Sequence, residues 1–474
     1  MVAGAVAIGP FGPSPGERRD VGPASPTRLR DYQRRGVQYA RRVVHPALFW
    51  EMRLGKTLVT IRTVKTYGPG LVLVVAPFSA FQGWREDLWA EGEGAPDELT
   101  GTNKRRRGRL QDGLNEAVIA GRRRWFLLNS QGWRAIREIA GISWLSVILD
   151  ASTFIKEPKV KCTRFFISNF RRVPHRWILS GTPAPEIDLD FWAQCAFLDP
   201  AIFGPENFWE FRQKWAEQVR FDWILKPEGK RFISSRLAGR VSFLTRADVR
   251  LGGVKIRQKR LVMLPPAARA IYKKTARTFV LDLPGEKEAR RTIYAGQRHI
   301  WFRRIADGYI PDAPSPVVHS AKLDELRGLL AGPLAGQQTV VWAVYVPEVE
   351  WLAQSIPGAE YIHGDVPPAK RDQKKKDFQA GRIRHLVVQP ETMKFGSKLT
   401  AAGALIYFSS PEGALTRSQS EDRAIDLSRQ DNALVIDIIA AETIDEDIAT
   451  SLLRKETRAE TLRRIVRGIE RAAA

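Results

Sequence analysis

Cysteine is nearly missing from this sequence. Cys162 and Cys195 are the only two in 474 residues, too few for a disulfide framework or a zinc site. That excludes the small stapled domains of secreted proteins and points to a reducing compartment. Acidic residues are also in short supply. Asp and Glu total 52 against 75 Lys and Arg, which leaves a formal net charge of +23. A soluble chain this basic is expected to meet a polyanion, with nucleic acid the default. The cations gather at Lys104–Arg107 with Arg109, at Arg122–Arg124 and at Lys374–Lys376. No apolar run approaches the ~18 residues of a membrane span, so no membrane partner is expected. Met1 to Ala7 lack a basic leader and run into Gly and Pro, so no signal peptide is read there. The expected location is the cytoplasm, that of the host cell if the protein is viral.

The remaining composition is that of a globular protein, 44% hydrophobic and 27% charged. At roughly 100–200 residues per domain the length suggests two to four domains. Residues 1–26 are rich in Gly, Pro and Ala and read as a flexible tail. Thereafter short apolar, β-branched runs alternate with helical stretches. Ala47–Trp50, Leu71–Ala76, Trp125–Asn129, Leu145–Asp150 and Arg176–Ser180 read as strands, with helices such as Lys56–Tyr67, stopped by Gly68, between them. A second series runs through Thr339–Tyr345, Glu360–His363, His385–Gln389, Ala404–Phe408 and Leu434–Ile439, with helices at Lys370–Gln379 and Thr416–Asp426. Runs apolar on both faces fit parallel strands covered by helices. The expectation is an α/β protein of two lobes, each a parallel sheet with helices on both faces. Lobe 1 is placed at 27–250, a helical brace and linker at 251–330, and lobe 2 at 331–474.

The strongest local signal is Glu51-Met52-Arg53-Leu54-Gly55-Lys56-Thr57, between a strand and a helix. Such a loop exposes backbone N–H groups and a positive dipole end to phosphate. Lys56 is expected to reach the β and γ phosphates of a nucleotide, and Thr57 to hold Mg²⁺. The full pattern has Gly five residues before Gly55, where Trp50 stands.

Other segments surround this loop in a definite order. Leu29-Arg30-Asp31-Tyr32-Gln33 lies upstream. Val74-Val75-Ala76-Pro77, with Trp84 and Glu86, lies downstream. Asp150 closes an apolar strand, and Ser180-Gly181-Thr182-Pro183 follows the next one. Phe191-Trp192, Gln194, Phe197-Leu198-Asp199-Pro200 and Ser320 with Lys322-Leu323 come after. The second series carries His363-Gly364-Asp365, Gln389-Pro390 leading to Gly396 and Leu399, and Gln419-Ser420-Glu421-Asp422-Arg423-Ala424. This order resembles the superfamily-two helicases (the DEAD/DEAH-box-like group) and within them the Swi/Snf-like ATPases, in a compact form most like viral or phage members. The resemblance spans about residues 29 to 450. It implies two RecA-like lobes with ATP and Mg²⁺ between them and DNA across both.

Residue by residue, the resemblance makes Gln33 the reader of adenine. Gly55, Lys56 and Thr57 become the phosphate and Mg²⁺ loop, Asp150 the second Mg²⁺ group, and Arg423 the arginine facing ATP from the opposite lobe. Ser79, Ser130, Thr182, His363 and Gly396 become candidate DNA contacts. The implied activity is ATP-dependent translocation or unwinding of duplex or branched DNA, without sequence preference, in replication, recombination or repair. A monomer is expected.

Three positions depart from the family. Ala151 stands where a Glu after Asp150 orients and deprotonates the attacking water. Such assistance is typically worth 10²–10⁴-fold in rate. Ser152 is next in line, but a neutral hydroxyl is a poor base. Asp426 replaces a second arginine, with Arg429 one turn further on, and Arg53 replaces a usual Gly. Ala151 is either an engineered change or the mark of a natural member that hydrolyses ATP slowly or not at all. The alternative function is therefore an ATP-binding DNA clamp or switch.

Overall fold

The structure is a computed structural model. It describes residues 27–455 apart from 182–188, 205–206, 220–221, 250, 252–254, 287, 293, 395–398 and 425–432. In chain order the strands are β1 (Ala47–Trp50), β2 (Leu71–Ala76), β3 (Asp97–Glu98), β4 (Arg124–Asn129), β5 (Ser146–Asp150), β6 (His175–Leu179), β7 (Ala216–Val219), β8 (Asp222–Leu225), β9 (Val241–Leu244), β10 (Lys255–Val262), β11 (Val280–Leu281), β12 (Arg290–Arg291), β13 (Thr339–Trp342), β14 (Ala359–Ile362), β15 (His385–Val388), β16 (Ala404–Tyr407) and β17 (Ala433–Ala440).

Two sheets organise them. The first has the order β3-β4-β2-β5-β6-β1-β9 and the second β10-β17-β16-β13-β15-β14. Every pairing within both is parallel. β7 with β8, and β11 with β12, form separate antiparallel hairpins.

The central strands of each sheet are buried on both faces, which is why they read as unbroken apolar runs. Along β2, Leu73 and Val75 pack with Phe49, Phe126 and Ile178 on one face. Val72, Val74 and Ala76 pack with Trp50, Trp125 and Trp177 on the other. The second sheet repeats the alternation. Val341 and Ile406 face one core and Val340, Trp342 and Tyr407 the other. The architecture is α/β with two parallel sheets, as the sequence pattern implies. Among the described residues no helix is long and apolar enough to cross a membrane.

The stretch expected as a helical brace opens differently. β10 runs alongside β17 for eight residues, so this segment begins as the edge strand of the second sheet. Its sequence, Lys-Ile-Arg-Gln-Lys-Arg-Leu-Val, hides that role. An edge strand has one neighbour, and its outer residues stay solvated and charged.

Helices do follow, at Pro266–Thr278, Ala295–Asp307 and Ala321–Ala331. They are tied to the second sheet. The Lys322 ammonium is fully buried and donates to Asp307 at 2.7 Å and to Asp445 at 2.9 Å. Burial works against this ammonium, but the two carboxylates outweigh it and raise its pKa. Arg303 donates to Glu412 and to the Ser410 carbonyl, and the Tyr272 hydroxyl accepts from the Ile444 amide.

Candidate active site

The site starts where β1 ends. Trp50 is the last strand residue, and its indole is buried, donating to Ser242 Oγ at 2.9 Å. A Cβ on Gly36 would come within 2.3 Å of the Trp50 ring, so Gly36 lets the helix Asp31–Arg42 lie directly on it. Position 50 thus serves the core. The loop turns instead at Arg53 and Gly55, whose φ angles are 65° and 80°.

Gly55 is held to glycine by two independent constraints. Its backbone is left-handed, and a Cβ there would sit 2.2 Å from Gln33 Nε2. Gln33 is lodged against the loop. It donates to the Leu54 carbonyl at 3.3 Å and accepts from the Arg30 amide at 2.9 Å.

Lys56 opens the helix Lys56–Val64, with Thr57 next to it in the first turn. The Lys56 Nζ donates to the Trp50 carbonyl at 2.8 Å and the Glu51 carbonyl at 3.1 Å. Burial lowers its pKa to about 8, against the pull of Asp150, Asp422 and Glu51. Asp422 belongs to the second sheet's helix Ala414–Ala424, so charges from both sheets converge on this ammonium.

Asp150, at the end of β5, is aimed by two hydrogen bonds. Oδ2 accepts from Trp84 Nε1 and Oδ1 from the Ala151 amide, each at 2.9 Å. Burial raises its pKa, while the Trp84 bond, Lys56 and the Ala151 amide oppose the rise. Trp84 lies 66 residues before Asp150 in the chain. The structure gives it the task of fixing this carboxylate.

Ala151 adopts the left-handed conformation, φ 53° and ψ 51°, and offers no polar side-chain atom. Ser152 does not replace it. Its hydroxyl is buried and donates to Gln194 Oε1 at 2.6 Å, and Gln194 Nε2 in turn donates to the Asp190 carbonyl. The Gln194 segment therefore anchors the turn that carries Asp150.

Gly181, after β6, backs the Glu51–Thr57 loop. A Cβ there would lie 3.2 Å from Met52 Cγ and 3.5 Å from the Met52 amide nitrogen. From the second sheet, Arg423 comes to the loop. Its carbonyl accepts from Arg53 Nη2 at 3.2 Å. Burial lowers the Arg423 pKa, with Asp422 opposing. Asp426 and Arg429 lie outside the described residues.

The DNA candidates divide. Thr182 and Gly396 also lie outside the described residues. Ser79 stands in the first turn after β2, and Ser130 immediately after β4. His363, after β14, is buried. It stacks on Tyr361 at 5.2 Å, Nε2 lies 3.1 Å from Glu350, and Nδ1 accepts from the Asp365 amide. The ring is packed beneath the loop that follows β14. His363 shapes the Gly364–Asp365 turn from inside.

No local motif marks Arg246. It follows β9, and its guanidinium pairs with Asp422 while its amide donates to Glu51 Oε2 at 2.9 Å.

A model described as the SNF2-related domain matches residues 32–293, more than half of the chain. The chain is similar to protein p41 of Acyrthosiphon pisum secondary endosymbiont phage 1, 24% identical over 453 residues, with 88% of this chain and 94% of that protein covered. It is also similar to the chromodomain-helicase-DNA-binding protein 1-like of Mus musculus, 23% identical, with 88% of this chain and 48% of that protein covered. The chain thus spans nearly all of the phage protein and about half of the mouse one. Among solved structures it is similar to the Sulfolobus solfataricus SWI2/SNF2 ATPase core in complex with dsDNA, 20% identical, covering 95% of this chain and 98% of that one, with a TM-score of 0.43.

Proposed function

The chain belongs to the SNF2-related family, and from that premise we propose that it is an ATP-driven translocase or helicase. It acts on duplex or branched DNA, without sequence preference, in replication, recombination or repair. One observation carries the reading. The Gly55–Thr57 loop, the aimed carboxylate of Asp150 and the Asp422–Arg423 segment of the opposite sheet come together around the Lys56 ammonium.

The residues present fit Mg·ATP. The Lys56 ammonium is held by loop carbonyls that a triphosphate can replace, and Gly55 leaves space only for the Gln33 amide. In this reading Lys56 meets the β and γ phosphates, Thr57 and Asp150 hold Mg²⁺, Gln33 reads adenine, and Arg423 faces the transferring phosphoryl group. The bound cation neutralises charge on the phosphates. Trp84 keeps the Asp150 carboxylate turned into the cleft, and Arg423 offers positive charge where it develops. The surplus of cations supports DNA as the partner, met by a monomer.

Ala151 favours a second reading, an ATP-dependent clamp with little turnover. Nothing at 151 can take a proton, and Ser152 is committed to Gln194. Ala151→Glu tests both. A glutamate tolerates the left-handed backbone no worse than the alanine already there. DNA-stimulated ATP hydrolysis is expected to rise on the order of 10²-fold or more while ATP affinity stays unchanged. Many turnovers per second by the unaltered chain would make another residue the base.

A further inference from the structure

Arg53 stands where the family's loop usually has Gly, in a left-handed conformation that costs a non-glycine residue. What the side chain adds is a reach across the cleft, where Nη2 donates to the Arg423 carbonyl at 3.2 Å. The same carbonyl accepts from the Leu399 amide at 2.9 Å, so it is fixed from both sheets.

One residue earlier a second bridge forms. Asp422 is buried and paired with Arg246, whose amide donates to Glu51 of the phosphate loop and whose Nε lies 3.5 Å from that carboxylate. Alternating charges then continue inward. Lys255 lies 3.4 Å from Asp422 and 2.9 Å from Glu421. Arg257 and Arg417 both reach Glu421 at 2.8 Å, and Arg417 reaches Asp437 in β17 at 2.6 Å. These cations hold the Glu421 carboxyl far below its usual range despite burial. Two residues of the phosphate loop, Glu51 and Arg53, are thereby tied to consecutive residues, Asp422 and Arg423, on a helix that is itself rigidly anchored.

We propose that Arg53 and Arg246 form a two-point latch between the phosphate loop and the Arg423-bearing helix. Arg53 is then a positioning residue that sets where Arg423 sits whenever the loop moves. The positioning part rests on the ATP-site reading above, while the latch itself does not.

The test uses the full chain with dyes on introduced cysteines, Arg122→Cys in the first sheet's unit and Lys370→Cys in the second's. Both positions are exposed, whereas Cys162 and Cys195 are buried, so labelling is selective. Distance distributions are compared for the parent, Arg53→Gly and Arg53→Lys. Arg53→Gly relieves backbone strain and so should fold. Loss of one charge-assisted bond is expected to raise the open-to-closed ratio about tenfold, and Arg53→Lys to restore most of the closed population. Arg246→Gln is expected to open the cleft in the same direction.

In parallel, the ratio of affinity for ADP with aluminium fluoride to affinity for ADP alone is expected to fall about tenfold in Arg53→Gly, as in Arg423→Ala. An unaltered distance distribution in Arg53→Gly overturns the latch. Unaltered affinity for the fluoride complex overturns the positioning role. If Lys56→Ala leaves ATP binding intact, the ATP-site reading fails instead, and the distance result still stands or falls separately.

Discussion

Replacing Gly55 with alanine brings two structural costs together at one atom. The added Cβ enters a left-handed backbone, φ 80°, at a cost of about 1 kcal/mol. It also meets Gln33 Nε2 at 2.2 Å, far inside any non-bonded contact of a Cβ. Gln33 is a flexible side chain, so it yields, and it then gives up its bonds to the Leu54 carbonyl and the Arg30 amide. At about 1 kcal/mol each, these raise the total to about 3 kcal/mol. For a unit of 150–250 residues that corresponds to a fall in Tm of about 6–12 °C.

The decisive measurement is the same substitution in a Gln33→Ala background. There the clash and the two bonds are already gone, and only the backbone cost of about 1 kcal/mol remains. The cycle should therefore show a coupling of about 2 kcal/mol. ATP-over-GTP discrimination should fall alike in Gly55→Ala and Gln33→Ala. Equal costs in both backgrounds, or a Tm that does not move, would refute the argument that Gln33 is what keeps position 55 bare.

Two further substitutions probe other parts of the fold. Lys56→Ala removes the ammonium bonded to the loop carbonyls and should weaken ATP binding about 10- to 100-fold by calorimetry in a folded protein; unchanged affinity would sink the phosphate-loop assignment. Lys322→Met strands the buried carboxylates of Asp307 and Asp445, and should cost about 3–5 kcal/mol in thermal or denaturant unfolding; a neutral substitution would mean that the triad is solvated or protonated.

What the sequence made legible was periodic or local. β1 and β2 fall at the residues that the apolar runs mark, because strands buried on both faces have no other way to be written. The Glu51–Thr57 loop stood out because its signal lies within seven consecutive residues. What stayed hidden was long-range. Trp84 and Asp150 are 66 positions apart, and Arg246 and Asp422 are 176 apart. In a chain with a surplus of arginine nothing local distinguishes Arg246 from its neighbours. β10 was missed for the opposite reason. Its pattern is strongly polar, as befits an edge, and polarity is also what a linker shows.

Charge counts from sequence likewise overstate what is available to DNA. In the Arg122–Arg124 cluster, Arg123 is tied to Glu93 and to the Lys65 and Gly68 carbonyls, and Arg124 to Asp97 and Glu116. Lys374 and Lys375 are paired with Glu360 and Asp372. By contrast Lys104 and Arg105 are exposed at the start of the helix Asn103–Ala120. Arg106, next to them, lies close to Gly132, beside the Ser130 turn at the end of β4. Arg134 and Arg137 sit over the Trp133 ring in the same place.

If this group meets the phosphates, the joint variant Lys104→Ala with Arg105→Ala removes two contacts. At about 0.9 per phosphate on duplex DNA, the slope of log K against log salt should become shallower by about 1.8, equally for unrelated sequences. Arg123→Ala should leave that slope alone and lower Tm, since its guanidinium ties down loop carbonyls inside the first sheet's unit. A slope unchanged by the double variant would move the DNA path away from the end of β4. A change confined to one sequence would argue against a protein that tracks the backbone.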